Sequence, residues 1–187
     1  SSFEKNAKLR YQRQAKKKFK TKTRLALRPF LSSREEFLKG ALMLENNIEY
    51  SILDNLFFSS NLKYSLIDNF DDLKYPPVNT YPAQVRSDVK EYLKNFDNGL
   101  FIGRAQLDYH ISPRENHHVM LSAGILEEMF NGAGFEYLYF KQESNYAIGI
   151  EIFDVQKRDY EMRFGTLDYR NTTGHINFYY RNYNYLP

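Results

Sequence analysis

Few residues in this chain have the type and spacing that catalysis or metal binding needs. Glu127 and Glu128 form an acidic pair, but neighbouring strand residues face opposite sides of a sheet, so we expect no shared acid–base site. His117 and His118 lack further donors at ligand spacing, which indicates a surface position. The absence of cysteine excludes disulfides, thiolate zinc sites and cysteine nucleophiles. The sequence therefore predicts a protein that is not an enzyme and that holds no cofactor or metal.

The remaining polar residues of interest are concentrated in the last third of the chain. They are Glu136, Gln156, Lys157, Arg158, Asp159, Asp168, Arg170 and His175. On a soluble protein they would be ordinary surface. Inside a barrel they would need partners or water, and arginines and carboxylates on neighbouring strands would form a bracing lattice. We expect Arg158 and Asp168 to belong to such a lattice, in a lumen whose aromatic and polar groups suit a sugar chain.

These residues lie on segments in which apolar and polar side chains alternate, and the clearest case is 101–111. One face carries Phe101, Gly103, Ala105, Leu107, Tyr109 and Ile111, and the other carries Ile102, Arg104, Gln106, Asp108 and His110. A period of two indicates a strand with one dry and one wet face. Four residues of the wet face are therefore candidates to face a lumen: Arg104, Gln106, Asp108 and His110.

The same rhythm predicts an antiparallel meander of about eight long strands. The segments are about 20–31, 38–52, 56–67, 101–111, 117–125, 134–142, 146–155 and 174–185. Turn residues separate them, with hairpin candidates at 112–116, 131–134 and 143–145. Two longer connections are expected, at about 68–98 and 156–173. The first contains Pro76, Pro77 and Pro82 and a short helix near 87–95.

Two all-β architectures are compatible with this pattern. The longest apolar run has four residues, whereas a membrane-spanning helix needs about 20. A soluble sandwich or barrel would bury the apolar faces, and a transmembrane barrel would turn them toward lipid. Predicted strands of about 10–13 residues exceed the typical soluble length of about 5–6 and favour the membrane barrel. The 16 Tyr and 15 Phe residues fit its aromatic girdles.

The positive charge of the chain belongs to its first 24 residues. They contain ten Lys or Arg and one acid, which gives +9, while the other 163 residues contain 16 basic and 22 acidic groups, which gives −6. We expect residues 1–18 to form a basic arm or short helix and residues 19–187 to form a barrel segment. A basic arm can bind nucleic acid, but no sequence-reading helix or stacking platform supports that role. The chain starts without Met and ends on a strand-like run, so we expect part of a longer protein.

An ordered run of motifs carries a family resemblance. It comprises Gln84–Asp88, Leu121–Tyr139, Ala147–Glu151, Gln156–Tyr160, Phe164–Gly165, Leu167–Tyr169 and Thr173–Tyr180. In order and spacing it resembles the YjbH-like exopolysaccharide biosynthesis proteins over about Gln84–Tyr180, with Phe135 in place of the second Gly of a Gly-Gly-Glu motif. The matched signature positions are Arg86, Asp88, Gly124, Glu127, Gly132, Gly134, Glu136, Gln156, Arg158, Asp159, Asp168, Tyr169, Gly174 and His175.

The resemblance implies an outer-membrane β-barrel of Gram-negative bacteria, encoded with capsule or exopolysaccharide secretion genes. It brings no catalytic residues, so the signature positions are expected to be structural. The expected partners are outer-membrane lipid, an exopolysaccharide and other secretion-system proteins. Two alternatives stay open: a soluble antiparallel β domain that binds carbohydrate or another ligand, and a nucleic-acid module led by the basic arm.

Overall fold

The fold is an eight-stranded antiparallel sheet in which each strand pairs with the next. The computed structural model describes residues 18–31, 38–74, 88–142 and 144–181. The strands are β1 (Phe19–Phe30), β2 (Lys39–Ser51), β3 (Leu56–Asp68), β4 (Leu100–Arg114), β5 (His117–Ile125), β6 (Phe130–Phe140), β7 (Tyr146–Arg158) and β8 (Thr166–Tyr180). Their order in the sheet is their order in sequence. This confirms the all-β meander, and within the described residues the sheet stays open, because none of their strands pairs with the outer edge of β1 or β8.

The connection between β3 and β4 contains the helix predicted near 87–95. Helix α1 spans Val89–Lys94, and a 3-10 turn, Asn95–Asn98, follows it. No helix in the described part of the chain is long and apolar enough to cross a membrane. The three prolines of this connection and residues 1–17 of the basic arm lie outside the described residues.

Some predicted strand boundaries are wrong, mostly where polar residues or glycines replace the apolar alternation. Strand β6 begins at Phe130, so 131–134 is not a hairpin, and the chain reverses at 126–129 instead. The connection predicted at 156–173 is only 159–165, because the polar ends of β7 and β8 pair with each other. Strand β4 also runs past Pro113 to Arg114, with a register irregularity there, and the turn is 115–116.

The register divides the side chains between two faces of opposite character. We call the first the apolar face; it includes one large exposed apolar residue from each strand, all 40–80% exposed: Leu25, Leu44, Tyr64, Leu107, Leu121, Phe135, Ile152 and Ile176. The second, the polar face, carries Glu45, Lys63, Asp108, Glu136 and Glu151. The polar face is the side on which the described chain packs on itself.

The buried core lies at one end of the polar face, where the β3–β4 connection folds back onto the sheet. The connection contributes Phe70, Leu73, Tyr92, Leu93 and Phe96, and the sheet and its turns contribute Met43, Phe101, Met129, Phe130 and Met162. Aromatic rings meet edge to face within this core, as in Phe96 against Phe101 at 4.8 Å. Burial of this connection is therefore what anchors α1 over the sheet.

A β-bulge in β4 decides which face Phe101 joins. Asn61 pairs with Arg104 but Leu62 pairs with Ile102, so Gly103 is an extra residue on β4. A bulge of this kind reverses the alternation beyond it. Phe101 therefore enters the core on the polar side, whereas Leu107 lies on the apolar face. The single apolar face predicted for 101–111 is wrong at its first residues.

Candidate functional site

Five charged side chains form an ion network across the polar face. The Nη1 of Arg28 lies 2.7 and 2.6 Å from the two carboxylate oxygens of Glu128. The Nζ of Lys63 lies 2.7 Å from Glu128 Oε1 and 3.4 Å from Glu45 Oε1. The Nη2 of Arg24 lies 2.8 Å from Glu45 Oε2. The network thus joins β1, β2 and β3 to the turn between β5 and β6.

The electrostatics of Glu128 show how strongly the network holds this turn. Burial raises the pKa of Glu128, but the charges and hydrogen bonds of Arg28 and Lys63 outweigh it and keep the pKa below its ordinary value. Glu128 is therefore ionised at neutral pH and acts as an anchor. Glu127 and Glu128 lie in the turn at 126–129 and not on a strand, which the prediction about their side chains had required. The role of Glu128 is structural, as expected.

A cavity of about 430 Å³ lies beside the ion network, on the polar face below α1. Its floor includes Asn47 and Asn61, and Asn61 Nδ2 donates a hydrogen bond to Asn47 Oδ1 at 2.8 Å. Arg104 lines one side, where its Nε donates to the carbonyl of Leu126 at 3.3 Å. The cavity therefore combines amide groups with paired and partly paired cations.

Arg158 closes the end of β7 through carbonyl groups rather than carboxylates. Its side chain is fully buried. Nη1 donates to the carbonyls of Ile102, Glu127 and Glu128 at 2.8, 3.0 and 2.9 Å, and Nη2 donates to that of Arg163 at 2.7 Å. One side chain thus satisfies four carbonyls from three separate segments. It is a positioning residue for the turn that carries Glu128.

The residues around Arg158 fix α1 to the sheet. Lys157 Nζ donates to Asp88 Oδ1 at 2.5 Å, and Tyr160 Oη donates to Asp88 Oδ2 at 3.1 Å. Tyr92 Oη donates to the carbonyl of Arg158 at 2.5 Å. Burial and the charge of Asp88 raise the pKa of Tyr92 above its ordinary value, so the phenol keeps its proton. The motif at 156–160 is thus a clamp for the β3–β4 connection.

Two buried polar atoms stand beside this clamp without a hydrogen-bond partner in the described part of the chain. They are Arg158 Nε and Asp159 Oδ1. The backbone N–H of Asp159 donates to the carbonyl of Gly165 at 3.0 Å, which closes the 159–165 turn. The clamp therefore includes three signature positions, Asp88, Arg158 and Asp159.

A row of five residues in register crosses five strands on the polar face, and four of them are polar. In strand order the row is His110, Met120, Glu136, Glu151 and His175. His175 Nδ1 lies 2.7 Å from Glu151 Oε1. Among the residues that the structure describes, no group of three or more His, Asp or Glu has the geometry to hold a metal ion.

The four residues proposed to face a lumen share the polar face. Asp108 accepts hydrogen bonds from Ser122 Oγ at 2.6 Å and Gln106 Nε2 at 2.5 Å. His110 contacts the ring of Phe57 edge to face. Arg104 belongs to the same face but lies at the cavity below α1, two residues along the strand from Gln106.

The signature positions of β8 lie apart from Arg158. Asp168 is exposed, and among the described residues it does not contact Arg158. Tyr169 packs edge to face with Phe130 at 6.3 Å. Arg170 pairs with Asp154 on the apolar face. Gln156 Nε2 donates to the carbonyl of Leu167 at 3.2 Å, and Arg86 lies outside the described residues.

The signature glycines all lie in strands, at Gly124, Gly132, Gly134 and Gly174. Gly124 has a φ of +133°, a conformation that side chains disfavour. At Gly134 the ring of Phe153 lies where a Cβ would stand. These two positions need glycine for conformation and for close approach, not for a turn.

Four residues of the ion network were not among the candidate site residues predicted from the sequence. Arg24, Arg28, Glu45 and Lys63 all lie on predicted strands at positions of the wet face, and that alternation was the available signal. Their partner could not be found in this way, because Arg28 and Glu128 are 100 residues apart in sequence.

Comparisons with known proteins identify the family of this chain. A family model, YjbH, described as "Exopolysaccharide biosynthesis protein YbjH", matches residues 1–186. The chain belongs to this family. The match confirms the resemblance and extends it well beyond Gln84–Tyr180, to almost the whole chain.

A curated relative in the family is much longer. The chain is 29% identical over 153 residues to "Uncharacterized lipoprotein YjbH" of Escherichia coli (strain K12), which covers 78% of this chain and 21% of that protein. The chain thus spans about one fifth of the length of this YjbH relative. No solved structure matches the chain.

Proposed function

We propose that this chain forms part of a non-enzymatic β-barrel in the outer membrane of a Gram-negative bacterium, and that the barrel acts in export or assembly of an exopolysaccharide or capsule. The observation that carries the proposal is the apolar face, which crosses all eight strands and is left exposed by the residues that the structure describes. Water-soluble monomers rarely leave such a continuous apolar surface exposed. A sheet with an apolar outer face and a polar inner face is best suited to a lipid environment on its outer side.

Strand length supports the same proposal. The eight strands have between 9 and 15 residues, and a strand tilted by about 45° needs about 9–11 residues to cross the hydrocarbon core. The outer edges of β1 and β8 carry backbone groups without strand partners among the described residues. In lipid such edges need further strands, which the longer protein would supply.

Aromatic residues at one end of the apolar face also fit a membrane interface. Phe19 pairs with Tyr50, Tyr50 pairs with Phe58, and Tyr146 pairs with Tyr180. The residues of these pairs lie at the start of odd-numbered strands and at the end of even-numbered strands, so all of them lie at the same strand-end level of the sheet. Transmembrane barrels place aromatic girdles at such levels.

The exopolysaccharide role follows from family membership, and the absence of catalysis from the chemistry of the polar face. The buried carboxylates Glu45 and Glu128 are committed to cations, so neither is poised as a free acid or base. The E. coli relative is named a lipoprotein, and we extend membrane association to this chain. Its proposed partners are outer-membrane lipid, the polysaccharide and other secretion proteins.

The two alternatives explain less of the structure. A soluble carbohydrate-binding domain would need a second layer over the apolar face. A nucleic-acid module would need free basic groups, but in the described part of the basic segment Lys20 pairs with Glu49 and Arg24 pairs with Glu45. Lys20, Lys22 and Arg24 belong to β1 and not to a separate arm.

Neighbouring residues on β7 provide a matched test of the membrane proposal. Ile150 lies on the apolar face and Glu151 on the polar face, and the chain has no cysteine of its own. A spin label is placed at Ile150→Cys or Glu151→Cys in the full-length protein, with any other cysteine replaced by serine, in reconstituted bilayers. We expect the label at 150 to collide with oxygen dissolved in lipid, and the label at 151 to collide more with a water-soluble nickel chelate.

Fractionation of cells gives the complementary measurement. The full-length protein should travel with outer membranes and change its gel mobility on heating. Equal access of both labels to the nickel chelate, together with release into the soluble fraction, would refute the proposal and favour the soluble domain.

A further inference from the structure

The cavity beside the ion network has the size and the walls of a small-molecule site. Its volume of about 430 Å³ lies within the roughly 300–1,000 Å³ of typical ligand sites. Four strands form its floor, and α1 contributes Val89 and Tyr92 to its wall. Hydrogen bonds from Tyr92 to the carbonyl of Arg158 and from Lys157 to Asp88 fix α1 to the sheet, so this wall of the cavity is held in place.

The hydrogen-bonding groups of this cavity are unbalanced toward donors. Four acidic residues line it: Glu45, Glu49 and Glu128 each have a cationic partner, and Glu127 is the fourth. By contrast, no described residue accepts a hydrogen bond from Nη1 of Arg24, from the two terminal nitrogens of Arg104, or from the amide nitrogen of Asn47. The matching ligand therefore supplies acceptors, and the guanidinium groups favour a planar, charged acceptor such as a carboxylate.

We propose that this cavity binds a saccharide unit that carries a carboxylate, such as a hexuronate residue. The proposal rests on the exopolysaccharide role above and names the sugar chemistry that the site selects. Arg104 and Arg24 would contact the carboxylate, and the amides of Asn47 and Asn61 would contact ring hydroxyls. Arg104 contributes most to specificity, because no described carboxylate forms an ion pair with its terminal nitrogens, whereas Arg24 already pairs with Glu45.

The test uses two trisaccharides that differ in charge. Trigalacturonate and the neutral galactose trisaccharide obtained by reducing its carboxylates are titrated calorimetrically into the full-length protein in detergent. We expect the acidic sugar to bind at least about tenfold more tightly, and increasing salt to narrow that difference. Equal affinities, or no binding of trigalacturonate, overturn the proposal.

Variants on β4 test whether the acidic sugar binds at this cavity. Arg104→Gln should weaken trigalacturonate binding by about tenfold or more, because it removes a charged donor pair. Arg104→Lys should recover part of the loss, since it keeps the charge but not the planar fork. Arg114→Gln, at the exposed far end of the same strand, is the control and should bind as the wild type does. Unchanged binding by Arg104→Gln overturns the location.

The membrane proposal and the saccharide proposal fail separately. A preparation that fractionates with outer membranes but does not distinguish the two sugars refutes only the cavity proposal. A preparation that binds the acidic sugar at Arg104 but is released as a soluble protein refutes only the barrel.

Discussion

Replacement of Arg158 by alanine should destabilise the protein severely while leaving its surface charge pattern almost unchanged. Arg158 is fully buried, and its guanidinium satisfies four carbonyls on three segments of chain. The substitution deletes all four hydrogen bonds and leaves an empty space where the buried side chain stood. The turn that carries Glu128 loses its support at the same time.

The size of this effect can be worked out from these contacts. A buried carbonyl left without a partner costs about 1–3 kcal/mol. Water that enters the vacated space will satisfy some of the four carbonyls, so the costs do not add in full. If about half of the carbonyls stay unsatisfied, the expected loss is about 4 kcal/mol. With a urea slope near 2 kcal/mol per molar, the unfolding midpoint falls by about 2 M.

The assay is urea unfolding of the full-length protein in detergent, and the folded fraction is measured from the gel mobility of the folded form. Arg158→Lys should fall between alanine and wild type, because one ammonium group cannot reach all four carbonyls. Arg170→Ala is the control: it removes the same residue type from an exposed pair on the neighbouring strand and should leave the midpoint nearly unchanged. If Arg158→Ala unfolds at the wild-type midpoint, the clamp does not hold this end of the sheet.

Two further predictions concern the ion network and the glycine positions. Because the pKa of Glu128 lies below its ordinary value, its pairing with Arg28 and Lys63 stabilises the protein above the ordinary carboxyl pKa of about 4 and is lost as the pH falls through the lowered pKa. The urea midpoint of Glu128→Gln should be below that of the wild type at pH 7, and this gap should narrow as the pH is lowered below about 4, whereas a gap that stays constant over that range would contradict the prediction. Gly134→Ala should cost about 1–3 kcal/mol by overpacking against Phe153, and the same alanine introduced beside Phe153→Leu should cost clearly less in a double-mutant cycle.

The strands could be predicted because apolar and polar residues alternate within each strand. A residue in a strand faces one side or the other, so alternation survives in the sequence whatever the strand pairs with. Each of the eight predicted segments overlaps one strand of the structure. The errors fall where the alternation is interrupted, at the glycines of β6 and at the polar ends of β7 and β8.

The glycines of β6 illustrate what local sequence cannot decide. Gly132 and Gly134 carry no side chain, so they resemble turn residues when only their neighbours in sequence are considered. In the sheet, Gly134 makes room for the ring of Phe153, which stands on the next strand. The need for glycine therefore comes from a contact that exists only after β6 and β7 have paired.

The candidate site was predicted in part. The wet face of β4 was predicted to carry Arg104, Gln106, Asp108 and His110, and they do share the polar face. Arg158 was predicted to join a lattice with a carboxylate, but it binds carbonyls. A buried guanidinium can donate to a carboxylate or to a carbonyl, and only the fold decides which acceptor lies within reach.

The sequence by itself determined the class of fold, the order of its strands, the contrast between an apolar and a polar face, and the family. These are properties of single strands and of motif order, and they need no knowledge of long-range contacts. Tertiary structure alone decided that the described residues leave the apolar face exposed, while the β3–β4 connection fills one end of the polar face. It also joined Arg28 to Glu128 and formed the cavity beside them, because ion pairs and cavities depend on distances between strands that no local pattern records.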